Sequence, residues 1–80
     1  MAAPITRQEM ENRADSIAKA TVSPDSSTAE VMAILGSHMD ICGKILENNS
    51  LDKLTKVRET MLLQELIKAY FKRAMQLGIF

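Results

Sequence analysis

Between Leu51 and Leu77 the chain contains neither glycine nor proline. Residues that favour helix dominate this stretch, so it predicts one long helix of roughly 40 Å at 1.5 Å per residue. Its apolar residues do not keep to one side. Leu51, Leu54, Val57 and Met61 form one stripe, opposite Asp52, Lys56, Glu59 and Thr60. Farther on, Leu63, Leu66, Ile67, Tyr70, Ala74 and Leu77 form a second, and Glu65, Lys68, Lys72 and Gln76 take the side that was apolar before. At about 100° per residue the two stripes point in nearly opposite directions. Either the helix breaks near Thr60–Leu62 so that both stripes meet one core, or it stays whole and serves two surfaces. Glu59, Met61, Leu62, Leu63, Gln64 and Glu65 mostly favour helix, which supports continuity. The expectation is that the first stripe lies in the chain's own hairpin and the second against another chain.

Two shorter helices precede this one. Thr6 can cap a first helix, with Glu9 three residues on and Ile5 and Met10 placed as a hydrophobic staple. Residues 1–5 are expected to be disordered and the first helix to span about 6–21. Its apolar side, Met10, Ala14, Ile17 and Ala18, is narrow and rich in alanine, which predicts loose docking or ordering by a partner. The run Thr21-Val22-Ser23-Pro24-Asp25-Ser26-Ser27-Thr28 is a break. Ser23 with Pro24 in the first turn and Ser27 with Glu30 are competing starts for the second helix, expected over about 24–48. That helix carries Val31, Leu35, His38, Cys42 and Ile45 as its main stripe, and Met32, Gly36, Met39, Gly43 and Leu46 as another. Gly36 and Gly43 lie seven residues apart on one side, where a neighbouring helix backbone could come close. Asn48-Asn49-Ser50 makes a short connection, so the second and third helices, the latter about 51–77, form an antiparallel hairpin. Gly78 is placed to end the third helix and turn Ile79 and Phe80 back. The fold expected is all-α: a helical hairpin with an additional N-terminal helix, one domain over residues 6–80, in an oligomeric bundle.

An 80-residue chain is near the lower limit for a self-sufficient core. Cys42 is the only cysteine, so no disulfide forms within the chain. A lone thiol and a polar start without a signal sequence predict a cytoplasmic protein, and no run is long enough to span a membrane. Oligomerisation or a partner is the support that remains. Net charge is zero, with residues 1–43 at −3 and residues 44–80 at +3. This imbalance favours packing of one half on the other and is too weak to imply nucleic acid. The six methionines suit an adaptable interface as well as ordinary gap filling.

Chemistry is sparse. His38 and Cys42 stand four apart on one helical face, a workable two-ligand spacing for zinc, with two further ligands needed from elsewhere. The pair is a weak metal candidate, and no metal or other cofactor is expected. No Asp or Asn is placed to orient His38, and no glycine-rich phosphate loop exists, so the chain is read as non-enzymatic. Lys68, Lys72, Arg73 and Arg58 make a modest basic strip, interrupted by Glu65. The function expected is protein–protein interaction by a small regulator, adaptor or chaperone with a helical surface. The partner is another protein or a second copy in a homodimer or small oligomer. Leu63, Leu66, Ile67, Tyr70, Phe71, Ala74 and Leu77 are the expected interface, with Tyr70 and Phe71 as aromatic anchors. Alternatives are a small helical DNA-binding or transcription-modulating protein, and a subunit or co-chaperone of a secretion assembly. The latter rests on a loose likeness in size and helical shape to small components of bacterial secretion systems.

Overall fold

The computed structural model describes residues 6–80. The staple residue Ile5 and the expected disorder of residues 1–5 lie outside that range. Three helices account for most of the described chain, with no strand among the described residues: α1 (Arg7–Thr21), α2 (Thr28–Glu47) and α3 (Lys53–Gln76).

Each start is fixed by a short polar side chain. The Glu9 amide donates to Thr6 Oγ1 at 3.1 Å, and the Glu30 amide to Ser27 Oγ at 3.1 Å. The competing start at Ser23 is lost because that residue is held in a turn. The Ser26 amide donates to its carbonyl, and the Asp25 amide to its hydroxyl. Asp52, rather than Ser50, caps α3, accepting from the Thr55 amide at 2.7 Å. Beyond α3, Gly78 adopts φ +73°, the left-handed conformation that favours glycine. The Ile79 amide then donates to the Ala74 carbonyl and the Gly78 amide to Met75, which is a Schellman closure. This turn seats Ile79 against the core, as the sequence suggested.

The helix α3 is continuous through residue 60, and both other helices pack on it. The hairpin is antiparallel: Thr28 Oγ1 donates to the Ile79 carbonyl, His38 meets Tyr70, and Lys56 Nζ donates to the Leu46 carbonyl. In contrast, α1 runs parallel to the second half of α3. Arg7 lies 4.0 Å from Glu65, Lys72 lies 3.9 Å from Asp15, and Arg73 Nε donates to the Val22 carbonyl. The small side chains of Ala14, Ala18 and Ala69 allow α1 to lie close on α3, and all three are buried. The backbones of α1 and α2 do not approach each other. The order in space is α1, α3, α2, in a plate 39 × 29 × 14 Å. Its radius of gyration is 13.9 Å, against about 11.6 Å for a compact globule of this length.

The main stripe of α2 packs as read: Val31 and Leu35 are buried and His38, Cys42 and Ile45 half-buried. Its counterpart on α3 overturns the expected assignment of the two stripes. Tyr70 and Ala74 belong to the core, Leu66, Ile67 and Leu77 pack against it, and Leu63 is half-buried. The second stripe is therefore the intramolecular one. Leu54, Val57 and Met61, assigned to the hairpin, are 59%, 46% and 44% exposed. The reason lies in two polar residues. Thr60 is buried, its hydroxyl donating to the Lys56 carbonyl at 2.8 Å and lying 3.2 Å from that of Val57. Lys56 lays its stem along the seam and carries its ammonium to the C-terminal end of α2, where free carbonyls attract a cation.

Candidate interaction surface

The exposed apolar residues have a common origin in the seam geometry. Residues facing across the hairpin recur at alternating spacings of three and four: 31, 35, 38, 42, 45 on α2 and 60, 63, 67, 70, 74, 77 on α3. One residue beyond each seam position lies about 100° farther round its helix. Because the helices run in opposite directions, those two rotations bring both sets to the same broad face. On α2 the set contains Met32, Met39 and Leu46, which are 57%, 52% and 58% exposed. On α3 it contains Leu54, Val57, Met61, Phe71 and Met75, with the exposed Gln64 and Lys68 between Met61 and Phe71, and Phe80 joins it by packing its ring 5.6 Å from that of Phe71. Only Ile17, Ile41 and Leu62 among the large exposed apolar residues described lie elsewhere. Helix α1 sits on the far side of α3 from α2 and leaves this face uncovered.

Of the interface residues expected from sequence, Phe71 is exposed, Leu63, Leu66, Ile67 and Leu77 are half-buried, and Tyr70 and Ala74 are buried. Leu63, Ile67, Tyr70, Ala74 and Leu77 lie along the hairpin seam, and Leu66 packs against the core beside it. The residues that replace them were visible in the sequence as the second stripe of α2 and the first stripe of α3. Gly36 and Gly43 fall on the same face. A Cβ placed on either meets nothing within 4 Å, so no helix of this chain packs there.

The remaining candidates assemble little chemistry. His38 donates from Nδ1 to the Ile34 carbonyl at 2.8 Å, the only sense open to a carbonyl partner. Its ring stands edge-on to Tyr70 at 5.1 Å. Cys42 is half-buried one turn on. Among the described residues no three His, Cys, Asp or Glu side chains converge as a metal group would require. The basic strip is partly paired within the chain, with Lys68 on Glu65 at 3.3 Å, Lys72 near Asp15 at 3.9 Å and Arg73 on the Val22 carbonyl, while Arg58 is exposed. The clefts between α1 and α3 are shallow and lined by Glu11, Asp15, Lys19, Lys68, Lys72 and Gln76. They lack the apolar walls of a small-molecule site. The Asp52 carboxyl is held below its ordinary value by the hydrogen bonds from Thr55, with a smaller contribution from Arg58.

No protein-family model, no curated protein and no solved structure matches this chain. No helix among the described residues is long and apolar enough to cross a membrane.

Proposed function

We propose that the chain is a non-enzymatic protein-binding module that works through the broad apolar face of its helical hairpin. One observation carries the reading. Large apolar side chains of two helices collect on one face of a single-layer plate, and none of the described residues covers them. Monomeric soluble proteins rarely gather this many large exposed apolar side chains on one face without using it. The outer edge of α2 is charged, with an Asp40–Lys44 pair, and an apolar centre beside a polar rim is the usual anatomy of a binding surface. Four methionines, Met32, Met39, Met61 and Met75, give the face side chains that adapt to a partner's shape. Roles as a regulator, adaptor or chaperone all follow from such a surface.

The test is affinity capture from the native cell lysate with wild type, Met39→Glu and Met61→Glu. Both substituted residues are about half exposed, so helicity by circular dichroism should not change. A protein, or a second copy of the chain, held by wild type and lost with both variants is the expected result. Equal recovery by all three chains would refute the assignment of this face.

A further inference from the structure

We infer that the occupant of this face is a second copy of the chain, docked face to face about a two-fold axis. The inference rests on the binding role just proposed and names its partner. Folded domains are generally built of at least two packed layers. Here α1, α3 and α2 lie side by side in one layer, and Met39, Met61 and Met75 stay 52%, 44% and 66% exposed on one side of it. A second plate of the same kind supplies the missing layer. The area suffices: the plate measures 39 by 29 Å across, and a standard interface needs about 800 Å² from each partner.

A two-fold interface must be complementary to itself, because each contact occurs twice. The exposed stripe of α2 meets that requirement. Along it small and large residues alternate: Ala29, Met32, Gly36, Met39, Gly43, Leu46. With the axis between Ser37 and His38 and the α2 helices antiparallel, Met39 faces the partner's Gly36. Met32 then faces the partner's Gly43, and Leu46 the partner's Ala29. Each large side chain meets a small one, and the open space above both glycines is filled. His38 packs against Tyr70, so the same axis passes close to Phe71 on α3 and brings the two Phe71 rings together; Met61 then lies at the edge of the interface, opposite the end of the partner's α3, and Leu54 and Val57 extend past it.

Sedimentation of the purified full chain over a wide concentration range tests this. A mass of twice the chain is expected for wild type and for Ile41→Glu, which lies off the face. Met39→Glu and Met61→Glu should each raise the dimer dissociation constant by about 30-fold or more. Gly43→Leu should also weaken the dimer while leaving the helical signal intact, because a Cβ at that position meets nothing within 4 Å. A monomer at every concentration, or a dimer indifferent to Met39→Glu, Met61→Glu and Gly43→Leu, would overturn the inference. A monomeric wild type that still captures a different protein through Met39 and Met61 would overturn the second copy and leave the binding face standing.

Discussion

Three glycines illustrate how one residue type can act oppositely in one chain. Gly78 sits at φ +73°, where an added Cβ crowds the backbone. Gly78→Ala should cost about 1 kcal/mol, read as a lowered midpoint in urea unfolding. Gly36 is in the interior of α2 with open space around it. Gly36→Ala should therefore stabilise the folded monomer by up to about 1 kcal/mol, since alanine restricts the unfolded chain and favours helix. A loss of monomer stability in that variant would mean the residue is not exposed as described. Asp52 supplies a pH dependence at the same scale. Its folded pKa lies below the ordinary 3.8, so the stability it contributes is complete above that value. That contribution is lost as pH falls through the lower folded value. Asp52→Asn keeps a capping oxygen and removes the charge. Its melting temperature should fall less than that of wild type between pH 5 and pH 2, and equal falls would exclude this role.

At the scale of elements, the central fact is that α3 uses Tyr70 within its own hairpin. Tyr70→Ala should destabilise the fold by about 3 kcal/mol, visible in thermal melts whatever the oligomeric state. A variant that melted like wild type and lost only self-association would restore the intermolecular role first expected for this residue. The number and order of helices, the Thr6 cap of α1, the Gly78 closure of α3, the continuity of α3 and the inward stripe of α2 were legible in sequence, whereas the sequence points to Ser50 instead of Asp52 as the cap of α3 and leaves the start of α2 open between Ser23 and Ser27. The legible features follow from periodicity, breakers and local hydrogen bonding. The inward side of the first half of α3 was not legible, because a threonine and a lysine occupy it. Each is polar in composition, yet Thr60 satisfies its hydroxyl on its own helix and Lys56 places its charge at the end of α2. The parallel docking of α1 was equally hidden. Its alanines give a weak hydrophobic signal, and their value lies in allowing close approach, a property of the pair of helices rather than of either alone.

The molecule as a whole is a plate with one broad, largely apolar face that none of the described residues covers. In the free chain Met39 and Met61 are about half exposed, whereas Met10, on α1 away from the face, is already half-buried. Methionine oxidation follows exposure, so brief peroxide labelling reads cover at each residue directly. The decisive measurement is the oxidation rate of Met39, Met61 and Met10 as the concentration of purified protein is raised. The account predicts that Met39 and Met61 become protected together over one concentration range while Met10 keeps its rate. Rates for all three that do not change with concentration would contradict it.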